Sequence, residues 1–236
     1  MLIGGLQKLS LLDYPGHLAA IIFTQGCNFR CQFCYNPMLV WPAKAKSSQS
    51  GHSSIKESDL FSFLKARQGK LEGVVITGGE PTLHNDLSEF IWQIKQLSYK
   101  IKIDTNGTNP RVLRELIGGG LVDYIAMDIK SSERGYQQIV GVETDLEKIK
   151  ESINILLTSN IDYEFRSTIV PGLHSREDIQ AMGELIRGAK QWFLQSFKSD
   201  TKLVNPDLEH MPAFSEQELE KMRQIAQRFV KKCEIR

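Results

Sequence analysis

The sequence predicts an α/β fold in which parallel strands alternate with covering helices. Three observations carry that expectation. Short apolar runs recur along the chain, each of a length suited to a strand covered on both faces. Between them lie segments with apolar residues at helical spacing, opened by capping residues. Polar and glycine-rich turns fall where the apolar runs end. Alternation of this kind implies parallel pairing through right-handed crossovers. About six strand–helix units fit the chain, fewer than the eight of a closed βα barrel.

In order, the first strand is predicted over 18–24, directly before three closely spaced cysteines. Residues 43–54, from Ala43 to Ser54, are polar and serine-rich without apolar period and read as a surface loop. Ser54 with Glu57 reads as a capping box for a first helix. Strands follow over 73–77 and 101–105. Between them Leu87, Phe90, Ile91, Ile94 and Leu97 share one helical face. Asn109 and Pro110 suit an N-cap and first-turn pair, and a strand over 124–128 comes next. Thr144 with Glu147 reads as a second box, ahead of a stripe of Leu146, Ile149, Ile153, Leu156 and Leu157. Strands over 162–170 and 191–195 complete the set. Ser215 with Glu218 opens the last helix, where Phe214 and Leu219 take the staple positions and Leu219, Met222, Ala226 and Phe229 form the stripe. No linker or internal repeat divides the chain, so one domain over 1–236 is expected.

Composition narrows the function. Hydrophobic residues at 41% and charged residues at 24%, with a net charge of +1, give no electrostatic reason to expect nucleic acid or a membrane surface as partner. No apolar run reaches the roughly 18–20 residues that cross a bilayer. The stretch from Met1 to Asp13 has no basic segment ahead of an apolar core, so no secretory signal is expected. Four cysteines, three of them clustered, suit a reducing compartment, and the cytoplasm is the expected location.

Cys27, Cys31 and Cys34 lie within eight residues. Three thiolates on one tight loop can converge on one metal centre, and a closed site takes four protein ligands. Three therefore suggest a centre with one open position. Cys233 stands alone and reads as a single thiol on a terminal helix. A fourth-ligand role would require that helix to fold back onto the loop.

In parallel α/β folds ligands bind at the C-terminal ends of strands. The unusual residues of this chain fall there: the cysteine loop, Thr77-Gly78-Gly79-Glu80-Pro81, Asp104-Thr105-Asn106-Gly107, Asp128-Ile129-Lys130, and Glu164, Arg166 and Thr168 ahead of Val170-Pro171-Gly172. Each has a plainer reading. Gly78-Gly79 could be a turn, or could let a ligand approach bare backbone. Asp104 could cap a loop and Lys130 could be a solvated charge. Arg166 inside a strand needs a partner. His17, His52, His174 and His210 read as loop residues, and His84 as a surface residue.

Cys27-x-x-x-Cys31-x-x-Cys34, with Phe33 before the last cysteine, resembles the cluster loop of the radical S-adenosylmethionine superfamily. Gly78-Gly79-Glu80-Pro81 resembles its second motif. Tyr35-Asn36, Asp104-Thr105-Asn106-Gly107, Asp128-Ile129-Lys130 and Val170-Pro171-Gly172 resemble the activating enzymes of glycyl-radical enzymes. The opening, Ile3-Gly4-Gly5-Leu6-Gln7-Lys8 through Leu12-Asp13-Tyr14-Pro15-Gly16, is similar to the anaerobic ribonucleoside-triphosphate reductase activating branch. The family's partial (β/α)6 TIM-type barrel agrees with the six units counted.

The resemblance implies that Cys27, Cys31 and Cys34 hold a [4Fe–4S] cluster whose fourth iron takes S-adenosylmethionine. Reductive cleavage would give a 5′-deoxyadenosyl radical that removes hydrogen from a glycine of a partner glycyl-radical enzyme. A flavodoxin-type or other low-potential donor would supply the electron. Gly78, Gly79 and Glu80 would bind the methionyl amino group. Phe33 and Tyr35 would lie near the adenine and Asn36 beside the cofactor. Asp104, Thr105 and Asp128 match positions that hold a monovalent cation in relatives. Lys130 and Arg166 would face the cofactor or the incoming glycine loop. There is no second cysteine cluster, and after the last strand no clear histidine matches the one with which some activating enzymes contact the cofactor. Two other readings stand beside this one: a radical enzyme acting on a small molecule such as a nucleobase precursor, and a zinc-bearing module without catalysis.

Overall fold

The computed structural model describes residues 1–41 and 55–236. The loop expected over Ala43–Ser54, His52, and the Ser54 half of the first capping box lie outside them. Among the described residues eight strands form one sheet in chain order, β1 to β8, with β1 and β8 at its edges and no pairing between them. The six expected strands are β2 (Ala19–Thr24), β3 (Gly73–Gly78), β4 (Lys100–Thr105), β5 (Tyr124–Asp128), β6 (Asp162–Ile169) and β7 (Gln191–Ser196). Each agrees with its expected bounds to within one residue at either end.

Two strands were not expected. β1 (Ile3–Ser10) pairs antiparallel with β2, a correction to the all-parallel reading. Its sequence carries two glycines and no apolar run, because an edge strand buries little and needs none. β8 (Lys232–Ile235) pairs parallel with β7. Cys233 therefore lies in a strand and not on a terminal helix, because the last helix stops at Ala226 and the chain turns back to extend the sheet.

The chain falls into two compact units. The first comprises Met1–Asn28, Met38–Thr105 and Arg111–Ile125. Here β2, β3 and β4 pair in parallel, and helices α1 (Pro37–Val40, at its start), α2 (Glu57–Arg67), α3 (Leu87–Lys95) and α4 (Pro110–Gly118) accompany them. Ile22, Val74, Val75, Ile76, Ile101 and Ile103 are fully buried. Four of the five residues of the expected α3 stripe, Leu87, Phe90, Ile91 and Ile94, are nearly or wholly removed from water, while Leu97 falls past the end of the helix and is half-buried. Each such side chain contributes roughly 1.5–3 kcal/mol of transfer free energy, so this face fixes the helix. The first capping box is corrected: α2 begins at Glu57 itself, behind Lys56, which gives no side-chain cap. The Glu57 carboxylate instead meets the Met1 ammonium group.

The second unit comprises Phe29–Pro37, Asn106–Pro110 and Ala126–Arg236. It holds the parallel set β6, β7 and β8 with α5 (Tyr136–Val140), α6 (Leu146–Thr158), α7 (Arg176–Leu185) and α8 (Glu216–Ala226). The cap of α6 sits one residue later than expected: Asp145 accepts from the Glu147 amide at 3.2 Å, while the Thr144 hydroxyl turns to the Val142 carbonyl. The box on α8, Ser215 with Glu218, forms as expected. A further box, Ser175 with Asp178, opens α7; aspartate there does the work expected of glutamate. α7 packs closely on Phe229, since a Cβ on Gly183 would stand 2.4 Å from that ring.

Candidate active site

In the first unit the site residues hang from the C-terminal ends of β2, β3 and β4. The chain leaving β2 is held by the carbonyls of α1: the Gly26 amide donates to Leu39 at 2.8 Å and the Cys27 amide to Val40 at 3.1 Å. The chain leaving β3 is stitched to it. The Gly79 amide donates to Thr24 O and the Glu80 amide to Gly26 O, both at 2.8 Å. Gly78 has φ +109°, and a Cβ on Gly79 would lie 2.0 Å from the Gly26 carbonyl oxygen. Bare backbone is thus required here for strand-end packing, before any ligand is considered.

Glu80 is 1% exposed. Its Oε1 accepts from the Thr82 amide (3.1 Å), the Thr82 hydroxyl (2.6 Å) and the Thr105 hydroxyl (2.8 Å). A buried carboxylate needs such donors, and these tie the end of β3 to the end of β4. His84, expected at the surface, is half-buried with Nε2 3.0 Å from Gln25 O; it joins the same stitching. On β4, the ammonium of the buried Lys102 donates to Asp104 Oδ1 at 2.5 Å.

In the second unit the cysteine loop is gripped by the end of α5. The Arg30 amide donates to Val140 O (2.7 Å) and the Gln32 amide to Ile139 O (3.2 Å), while Cys34 N closes a turn on Cys31 O (3.1 Å). Gly141 has φ +68°, and a Cβ there would come within 2.8 Å of Arg30 O. Phe33 is core: it packs with Ile139, Val170, Phe197, Leu203 and Leu208. Tyr35 stacks on Phe197 (6.4 Å between centroids, 19° between planes), and its hydroxyl accepts from the Lys198 amide at 2.9 Å. Asn36 is half-buried. Asn205 donates twice to Gln32, from its amide to the backbone oxygen (2.9 Å) and from Nδ2 to Oε1 (3.1 Å). The segment after β7 thus braces the cysteine loop, a role no motif announces.

Asp128 closes β5 between two cations: Lys130 Nζ reaches Oδ2 at 2.9 Å and Arg166 Nε reaches Oδ1 at 3.0 Å. Burial alone would lower the lysine's pKa, but the Asp128 charge and hydrogen bond outweigh it and hold the ammonium charged. Arg166 has the partner that its place in a strand demands. Burial pushes the Cys31 thiol up to about 11, against the opposing pull of the Lys130 charge.

His174 lies in the loop between β6 and α7, as expected, but is buried there and packs edge-on to Phe33 at 6.1 Å. Its Nδ1 accepts from the Val170 amide at 3.0 Å, so Nε2–H donates to Lys130 O at 2.9 Å. The Val170 donor fixes the neutral tautomer. Burial depresses its pKa, as it does that of His84. The unfolded chain then takes up the proton first, so stability present above about pH 6.5 is lost as pH falls below it. The melting temperature is expected to drop between pH 7.5 and 5.5, with a shallower slope in His174→Gln. A variant slope equal to the native one would remove His174 from this account.

All four cysteines are free thiols. Among the described residues no three His, Cys, Asp or Glu side chains are gathered in metal-holding geometry. Cys233 is buried within β8, where its amide is held by Gln227 Oε1 at 3.0 Å.

Comparison with known proteins bears on these residues. The family model described as the Radical SAM superfamily matches residues 21–186. A Methanocaldococcus jannaschii protein named "putative glycyl-radical enzyme activating enzyme" is 32% identical over the whole of this chain and 95% of its own length. The pyruvate formate-lyase-activating enzyme of Clostridium pasteurianum is 27% identical, covering 80% of this chain and 77% of its own. The crystal structure of a domain of such an enzyme from Bacteroides vulgatus has the same fold, with a TM-score of 0.57 at 20% identity over 70% of this chain and 99% of that one. The family match takes in the cysteine loop, the β3 and β4 ends, Asp128 and Arg166, and over that span this chain belongs to the radical SAM superfamily.

Proposed function

We propose that this protein is an activase that cleaves S-adenosylmethionine reductively and places a glycyl radical on a partner enzyme. The observation that carries this reading is the end-to-end likeness to a chain named as such an activating enzyme. Cys27, Cys31 and Cys34 would hold the [4Fe–4S] cluster. Thiolate is the donor such a cluster takes, and the Lys130 charge beside Cys31 eases the cost of a buried thiolate. Cys233 lies in β8, paired with Trp192 of β7, and stands outside the proposed set of three. When bound, the cluster supplies the electron that splits S-adenosylmethionine into methionine and a 5′-deoxyadenosyl radical.

The chain's own groups then have separate tasks. The Gly78 and Gly79 backbone would receive the methionyl amino group, with Glu80 as the positioning residue that pins this turn to β4. Phe33 and Tyr35 anchor the cysteine loop in the core and would flank the adenine; Asn36 would lie beside the cofactor. Lys130 and Arg166, both held by Asp128, present fixed positive charge to the cofactor carboxylate or to the entering glycine loop. The opening motif supports anaerobic ribonucleoside-triphosphate reductase as the partner, with a flavodoxin-type or other low-potential donor. No helix among the described residues is long and apolar enough to cross a membrane; a cytoplasmic setting suits the free thiols.

The test is anaerobic reconstitution with iron and sulfide, then addition of S-adenosylmethionine and a reductant. 5′-Deoxyadenosine should form, and a glycyl EPR signal should appear on anaerobic ribonucleotide reductase when that protein is included. Nucleoside turnover without any protein radical would favour a small-molecule substrate. A colourless zinc complex with no product would end the radical reading.

A further inference from the structure

The monovalent cation expected at Asp104, Thr105 and Asp128 does not fit the side chains found there. Asp104 already carries the Lys102 ammonium at 2.5 Å. Asp128 already carries Lys130 at 2.9 Å and Arg166 at 3.0 Å. We propose that this chain supplies its own positive charge, with Lys102 as a built-in counter-cation on Asp104 in place of a bound alkali-metal ion.

The position of Lys102 argues for a purpose. It stands in the middle of β4, paired in register with Val75 of β3, and is 1% exposed. Its ammonium lies 6.0 Å from the centre of the Tyr124 ring, a contact that favours a cation. A lysine is rarely buried to this degree unless paired. Its stem spans from mid-strand to the carboxylate two residues on, so the charge is delivered to the strand end while the backbone stays in the sheet. An alkali-metal ion on the same carboxylate would stand roughly 4–6 Å from that ammonium. At an effective dielectric of about 20, the repulsion disfavours its binding by about a hundred- to a thousandfold. Lysine and ion are alternatives at Asp104.

The consequence for cofactor binding rests on the activase reading; the ion question does not. The test uses the reconstituted protein at constant ionic strength, with potassium exchanged for tetramethylammonium. Melting temperature and S-adenosylmethionine affinity are read in parallel. The native protein should show less than a twofold change in affinity and no saturable rise in melting temperature with potassium. Lys102→Met should bind the cofactor more weakly in tetramethylammonium and regain at least fivefold with potassium, its melting temperature rising alongside. A native protein that gains fivefold affinity or several degrees from potassium overturns the proposal. So does a folded Lys102→Met that ignores potassium. If that variant does not fold, the native titration decides alone. If no cofactor binding is found, the function fails while the melting comparison still answers for Lys102.

Discussion

With Cys31 as a ligand of the proposed cluster, replacing it with alanine is expected to abolish 5′-deoxyadenosine formation and to leave the fold standing. Loss of an outer partner of a metal ligand costs about 10–100-fold, and loss of a thiolate from a set of three goes further. Product yield should fall by at least about a hundredfold, with iron and sulfide content falling too. The fold should survive, because a small buried side chain is trimmed and the loop keeps its backbone bonds to Ile139 and Val140. A cost on the order of 1 kcal/mol is expected, visible as a modest shift in a urea midpoint. Cys233→Ala is the matched control. It also trims a buried thiol, one whose pKa burial pushes up to about 12, yet it should keep cluster and product. Native-level product from the Cys31 variant, or iron lost from the Cys233 variant, would falsify the assignment.

Gly79→Ala is expected to cripple the protein through backbone alone. The added Cβ would meet Gly26 O at 2.0 Å and Gly26 C at 2.6 Å, and backbone cannot swing aside as a side-chain tip can. Overpacking costs about 1–3 kcal/mol in cores that can adjust, and the upper end or beyond is expected here. The displaced Gly26 is the residue before Cys27 and the acceptor of the Glu80 amide. Cluster retention and S-adenosylmethionine affinity should therefore fall together with stability. Gly118→Ala at the end of α4 has nothing within 4 Å of the new Cβ and should be neutral or gain about 0.4–1 kcal/mol. Equal urea midpoints for the two variants would show that the β2–β3 turn tolerates what its geometry forbids.

The legible parts of this chain are those where local sequence and burial agree. β2 to β7 are apolar runs with turn chemistry at their ends, so their limits were readable. β1 and β8 were not, because edge strands bury one side at most and carry no unbroken apolar run. Cap positions slipped at α2 and α6 because several polar residues compete near each start; Asp145 lies next to Thr144, and the backbone decides between them. At the candidate site, spacing and order put the cysteines after β2 and Gly79 and Glu80 after β3, and that is where the strands end. The supporting residues were not readable. Lys102 looks like any strand-edge lysine until its burial is seen, and His174 and Asn205 act on residues 44 and 173 positions away. Arg166 was the exception, since a charge inside a strand implied its partner.

The loop that carries the cysteines is fastened through its own amides. Those of Cys27, Arg30, Gln32 and Cys34 all donate to carbonyl oxygens of the chain. An N–H aimed at a sulfide stabilises the electron-rich form of an iron–sulfur centre and raises its reduction potential. Each amide fastened elsewhere withholds that help. In the activase proposed above, these four amides would be committed to the chain's own carbonyls and not to a sulfide, so none of the four would raise the potential of the centre.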